Sequence, residues 1–227
     1  MTKKLERIAT TDALPESTTV VIIGGGIVGV SAALTLAERN IPVVLIEKGQ
    51  IACEQSSRNL GWIRKTSRHA HDVPLAQAAD RLWAEMPNRI GRSVGYKQAG
   101  IMFLARTDEQ MAMYESWHRD VAPLELDSKL LTPVDIDRLA PNGQGQWKGG
   151  IHTASDGYAE PAIATTAMAE AAVRKGAVIV QECAVRTLST QAGAISGVVT
   201  EKGEIQCKQV LLAGGAWSRR FLGNLGV

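Results

Sequence analysis

A chain of 227 residues has room for one sizeable domain or two small ones, and 45% hydrophobic with 21% charged residues is the balance of an ordinary globular protein. A formal charge of +2, with its lysines and arginines scattered, gives no reason to expect nucleic acid or an anionic membrane as a partner. The three cysteines, Cys53, Cys183 and Cys207, form no CxxC pair; this argues against a disulfide framework or a zinc site and fits a reducing compartment. A cytoplasmic location is therefore expected, with peripheral attachment at the inner membrane as the alternative.

Residues 1–18, polar and acidic at Glu6, Asp12 and Glu16, do not read as a signal peptide and are expected to be a loose extension. Residues 17–37 carry no charge, but Gly24, Gly25, Gly26 and Gly29 interrupt them, so strand, turn and helix describe them better than a transmembrane segment. Thr19 to Ile23 is a continuous β-branched run of the kind buried on both faces in a parallel sheet. From Ile27 to Arg39 the period is helical, with Ile27, Val30, Leu34 and Ala37 on one face and Asn40 at the end. Pro42 to Ile46 is a second buried strand, closed by Glu47, which completes a βαβ unit.

Residues 49–73 read as a long functional loop. Pro74 opens a helix with Leu75, Ala78, Leu82 and Met86 on its apolar face, and Pro87 is expected to stop it. Tyr96 to Arg106 reads as one strand. Thr107 and Gln110 form a capping box for a helix to about Val121, and Thr132, Pro133 and Asp135 open another that ends before Pro141. Trp147 to Thr153 is a strand, and Pro161 to Lys175 a helix with Gly176 at its end. Ala177 to Gln181, Val185 to Ser189, Ile195 to Thr200 and Ile205 to Ala213 read as strands, partly paired as hairpins.

The sequence Gly24-Gly25-Gly26-Ile27-Val28-Gly29 satisfies GxGxxG. The first glycine permits a tight turn, the second a close approach of pyrophosphate to backbone, and the third close packing of helix on strand. The helix N-terminus adds N–H groups and a partial positive charge. Such a motif alone is weak, since a glycine-rich turn needs no ligand. Here it follows a strand, opens a helix and precedes a strand ending in Glu47, an acceptor for ribose hydroxyls that disfavours a 2′-phosphate. Two further features favour a flavin dinucleotide over NAD. Ser56-Ser57-Arg58-Asn59-Leu60-Gly61-Trp62 offers hydrogen-bonding groups to phosphate and flavin, and Val210 to Trp217 runs as a strand into two glycines that allow close passage of a flat cofactor.

With those residues in view, the sequence resembles the FAD-dependent D-amino-acid oxidase/dehydrogenase superfamily, which includes glycine and sarcosine oxidases and D-amino-acid dehydrogenases. The resemblance is carried by VVIIGGGIVGVSAALTLAERN…VVLIEKG at Val20 to Gly49, SSRNLGW at Ser56 to Trp62, DGYAEP at Asp156 to Pro161 and VLLAGGAWS at Val210 to Ser218. It implies an α/β fold, a Rossmann-type FAD-binding domain with a mixed, partly antiparallel substrate-domain insert. The domain limits expected are 19–85 with 155–227 for the FAD domain and 86–154 for the insert. It implies FAD as cofactor, with Gly24, Gly26, Ile27, Val28, Gly29, Glu47 and Lys48 at pyrophosphate and adenosine. Ser56, Ser57 and Asn59 would lie against phosphate and flavin, Val185 would offer its backbone to adenine, and Ala213, Gly214, Gly215 and Trp217 would form the last flavin-side turn. Members of the family continue well past position 227, so the chain is expected to be an N-terminal part with a C-terminal remainder elsewhere.

Other signals weigh less. Arg64 reads as a candidate contact for a substrate carboxylate, against a plain solvated arginine. His69 and His71 lack the further ligands a metal needs, and no metal is expected. The function expected is oxidation of the C–N bond of a small amino acid or N-alkyl amino acid by hydride transfer to flavin, with oxygen or a quinone as electron acceptor and homo-oligomer formation open. The alternatives are a flavin-dependent 2-hydroxy acid or glycerol-phosphate dehydrogenase, and a non-catalytic nucleotide-binding fragment or subunit.

Overall fold

The computed structural model describes residues 8, 10, 11, 13–141, 143 and 145–226. The chain divides into two compact units, Met1–Asn59 with Pro161–Val227, and Leu60–Glu160.

The first unit begins with β1 (Ser17–Ile23), α1 (Ile27–Glu38) and β2 (Val43–Ile46). Val21, Ile22, Val44 and Leu45 are wholly or almost wholly buried, as a strand covered on both faces requires. Asn40, at φ +56°, turns the chain out of α1 in the left-handed conformation that asparagine tolerates.

The second unit holds β3 (Trp62–Ile63), α2 (Val73–Ile90), β4 (Lys97–Gln98), β5 (Ile101–Ala105), α3 (Asp108–Asp120), β6 (Ser128–Leu131), α4 (Pro133–Leu139), β7 (Gly149–Thr153) and β8 (Gly157–Tyr158). They form two antiparallel sheets, ordered β3-β8-β4 and β5-β7-β6. Five expectations change here. The strand at Tyr96 to Arg106 is two strands in different sheets, because Gly100 (φ +73°) turns the chain between them. Pro87 does not stop α2: it has no N–H to donate, but its fixed φ is helical, and the helix runs one more turn to Gly91 in the left-handed region. The inward face of α2 is Val73, Met86 and Ile90, while Leu75 and Leu82 are exposed. The loop at 49–73 contains β3 and two short turns of 3-10 helix. At α3 only half of a capping box forms: the Thr107 hydroxyl accepts from the Gln110 N–H, but the Gln110 side chain accepts from Arg106. At α4 the box is complete between Thr132 and Asp135.

A buried polar network ties this unit together. The Asp156 carboxylate, fully buried, accepts from the N–H groups of Lys65 and Thr66 at 2.8 and 3.2 Å and from the Thr66 hydroxyl at 2.5 Å. The Lys65 ammonium lies between Asp80 (2.6 Å) and Asp156 (3.3 Å), and the Tyr96 hydroxyl donates to Asp80 at 2.8 Å. Together with the β3–β8 pairing, this places residues 60–85 and 155–160 in the same unit as 86–154, so the divisions fall after Asn59 and Glu160 instead of at 85/86 and 154/155.

The chain then returns to the first unit with α5 (Pro161–Arg174), β9 (Val178–Val180), β10 (Val185–Gln191), β11 (Ala194–Thr200), β12 (Gly203–Leu212) and α6 (Ser218–Asn224). The sheet order is β10-β11-β12-β1-β2-β9. Strands β12, β1, β2 and β9 run parallel, and β10–β11–β12 form an antiparallel meander on the other side. Ala164, Ala167, Ala171 and Ala172 on α5 are buried, and α5 packs on α1. β11 lies between β10 and β12, and β12 pairs with β11 from Gly203 to Gln206 and with β1 from Gln206 to Leu212; the outermost strands are β9 and β10. No helix among the described residues is long and apolar enough to cross a membrane.

Candidate functional site

The last residues of three neighbouring parallel strands, Ile23, Ile46 and Leu212, meet at one end of the first unit's sheet and border a cavity of about 480 Å³. In an open parallel sheet, ligands bind beyond the carboxyl ends of the strands, where the connections diverge. Here β1 leaves through α1 toward β2, while β12 lies on its other side. All the cavity's lining residues belong to this unit.

The turns at those strand ends are fixed to one another. The Gly24 N–H donates to the Ile46 carbonyl and the Ala213 N–H to the Ile23 carbonyl, each at 2.8 Å. Gly24 has φ +113°, and a Cβ there would strike the Ala213 carbonyl. Glu47 is 8% exposed, and its carboxylate accepts from the N–H of Gly25 at 2.7 Å and of Gly49 at 2.8 Å. It therefore braces the glycine loop, and its remaining lone pairs can still take ribose hydroxyls. Ser56 caps α1 from outside the helix, its hydroxyl accepting from the Ile27 N–H at 2.8 Å. At the rim, the Lys48 ammonium pairs with Glu54 at 3.0 Å and lies 4.1 Å from the centre of the Trp217 ring.

Of the residues singled out in the sequence, Gly24, Gly26, Glu47, Lys48, Ser56, Val185, Ala213, Gly214, Gly215 and Trp217 line this one cavity. Ile27, Val28 and Gly29 form the first turn of α1 without lining it; Gly29 is buried, and a Cβ there would strike the Gly24 carbonyl. Ser57 and Asn59 turn back to the carbonyls of Glu54 and Gln55. Arg64 lies in the second unit. Its guanidinium is over the Phe103 ring at 5.3 Å and donates to the Thr66 carbonyl. Burial first, and then the neighbouring Arg68, hold its pKa below the ordinary arginine value, so an anion beside it would be stabilising.

Sequence reasoning missed Arg186 beside Val185, and Arg220, Phe221 and Asn224 on α6. The only signal for α6 was the apolar pair Phe221-Leu222 following two arginines, too short for a helical period.

The donor set fits FAD. A Cβ on Gly26 would occupy cavity space and touch only the Ser56 hydroxyl, at 3.1 Å, so glycine leaves room there for a phosphate. The α1 N-terminus begins at Gly26 on the cavity wall, and Lys48, paired with Glu54, Arg186, paired with Glu201, and Arg220 line the same cavity as donors within reach of a diphosphate, with Glu47 as an acceptor for hydroxyls.

Fold and cavity together define a dinucleotide-binding domain of Rossmann type. The family model of FAD dependent oxidoreductases matches residues 19–227, and the chain belongs to that family, whose cofactor is FAD. It is similar to the L-amino acid deaminase of Proteus myxofaciens, solved in complex with anthranilate, at 33% identity and a TM-score of 0.92 over 99% of this chain and 51% of that one. It is 28% identical over 209 residues to the mitochondrial pyruvate dehydrogenase phosphatase regulatory subunit of Mus musculus, and 26% identical over 222 residues to the mitochondrial sarcosine dehydrogenase of the same species. These matches take in 91% and 94% of this chain but only 24% of each relative, so the chain spans about a quarter of those proteins' length.

Proposed function

We propose that the chain supplies the nucleotide-holding part of an FAD-dependent oxidoreductase that oxidises the C–N bond of a small amino acid or N-alkyl amino acid. The observation that carries this is the convergence of the Gly24–Gly26 loop, Glu47 and the Ala213–Gly215 turn on one cavity at the strand ends. In this reading the α1 N-terminus and Ser56 hold the diphosphate, Glu47 accepts from the ribose hydroxyls, and the Val185 backbone meets adenine. Arg64 offers a planar fork to the substrate carboxylate. When bound, FAD supplies a two-electron acceptor for the hydride on the substrate's α-carbon, and the resulting imine hydrolyses to a keto acid or an aldehyde. The likenesses to a deaminase of amino acids and a dehydrogenase of sarcosine support that substrate class. Oxygen or a quinone would reoxidise the cofactor.

The likeness to a regulatory subunit favours a second reading, a flavin-binding subunit without turnover. Heating protein purified from its native cell should release a yellow compound with the spectrum of FAD; a colourless protein holding NAD would sink the first reading. Bleaching of the bound flavin by sarcosine or a simple amino acid under anaerobic conditions favours the enzyme, and stable colour with every amine favours the subunit.

A further inference from the structure

One wall of the cavity is the chain from Ala184 to Arg186, where β10 begins. β10 is an edge strand with a partner on one side only, and its register against β11 slips between Val185 and Thr187. Main-chain bonds hold the approach, from Glu182 to the Gly49 carbonyl and from Cys183 to the Glu47 carbonyl. At Ala184 the hold passes to Glu201, just beyond the end of β11. The Glu201 N–H donates to the Ala184 carbonyl at 3.1 Å. The Ala184 N–H donates back to Glu201 Oε2 at 2.9 Å, and Oε1 takes the Arg186 guanidinium. One side chain thus grips the residues on both sides of Val185. The bond from Ala184, and then the charge of Arg186, hold the Glu201 carboxyl below the usual glutamate range, so the grip is ionised at neutral pH. Glu201 does not line the cavity itself.

We propose that Glu201 is a positioning residue, fixing the backbone at Val185 so that it is preorganised to pair with the adenine of a bound nucleotide. The proposal rests on the reading of the cavity as the FAD site. Its energetic logic is preorganisation: a bulged edge strand left to itself must be ordered when the nucleotide arrives, which weakens binding, and Glu201 orders it beforehand. The pair with Arg186 is exposed to solvent and adds little by itself; the reciprocal bonds with Ala184 do the positioning.

The test compares Glu201→Ala and Glu201→Gln in the 227-residue chain, with ADP and inorganic pyrophosphate as probes. Glutamine keeps an acceptor for the Ala184 N–H; alanine keeps none. Without ligand, the Ala184 amide should exchange with solvent faster in Glu201→Ala than in the wild type. The dissociation constant for ADP should rise about tenfold in Glu201→Ala and less than about threefold in Glu201→Gln, while that for pyrophosphate stays within about twofold in both. Unchanged ADP affinity in Glu201→Ala overturns the proposal. So does a parallel loss of ADP and pyrophosphate, which is what general damage to the fold would produce. A wild-type chain that binds neither probe overturns the reading of the cavity and the proposal with it, and is told apart from failure of the clamp, which leaves wild-type binding intact.

Discussion

At Gly24 and Gly29 a Cβ would drive into main-chain carbonyls, of Ala213 and Gly24 respectively, whereas at Gly26 it would meet only the Ser56 hydroxyl. Gly26 also has φ −76°, open to any residue. Gly26→Val should therefore fold with a melting temperature near that of the wild type and lose FAD, while Gly29→Ala should lose about 1–3 kcal/mol of stability as well. Thermal melts and flavin content per protein separate the two; equal flavin loading in Gly26→Val would place the phosphate elsewhere. The buried network of the second unit makes a pH prediction. Burial and the bond to Asp80 raise the Tyr96 hydroxyl above its ordinary value of 10.0. A raised folded-state pKa stabilises the protein fully below the unfolded value and ceases to do so as pH rises through the folded one. Urea melts at about pH 8 and about pH 11 should show the wild type losing more stability on the alkaline side than Tyr96→Phe. A Tyr96→Phe variant that loses as much would contradict it. The GxGxxG motif was legible in the sequence because its spacing between strand and helix is local, although the carbonyl that Gly24 must clear belongs to distant Ala213. The brace from Glu47 to Gly25 was not, nor were the bonds of Asp156 to Thr66, 90 residues away, because the bonded groups meet only in the folded chain.

Among the elements, the strands and helices with strong local signals lie close to where the sequence puts them: β1, α1, β2, α5 with proline at its first position, and the capped α4. α2 shows where such reading fails. Its sequence carries two apolar stripes, and periodicity does not say which one the unit covers. The structure buries Val73, Met86 and Ile90 and leaves Leu75 at 75% and Leu82 at 57% exposure. Met86→Ala should therefore cost about 2–5 kcal/mol. Leu75→Gln and Leu82→Gln should each change stability by less than about 0.5 kcal/mol. Chemical denaturation of the three variants checks the assignment, and a large loss at Leu82 would reverse it. The two-residue strands β3 and β8 leave no signal, because two residues show no alternation, and β4 reads only as the start of a longer strand; their pairing partners define them.

For the molecule as a whole, the useful asymmetry is that every lining residue of the cavity comes from the first unit. In the proposed reading the adenosine diphosphate half of the cofactor is served by the α1 N-terminus, Lys48, Arg186 and Arg220 for phosphate, Glu47 for ribose hydroxyls and the Val185 backbone for adenine, with the Ala213–Gly215 turn on the flavin side. Binding energy in this chain should then reside mainly in that half. Calorimetric titration of the 227-residue chain should give FAD and ADP dissociation constants within about tenfold of each other, with FMN, which lacks the adenosine, at least about a hundredfold weaker. Raising the salt should weaken FAD and ADP together, because screening acts on the same diphosphate contacts in both. On the proposal that Lys48 serves the diphosphate, which FAD and ADP share, Lys48→Met should weaken both ligands in equal proportion. FMN binding as tightly as ADP, or a Lys48→Met effect confined to FAD, would show that the flavin end and not the nucleotide end is what this chain holds.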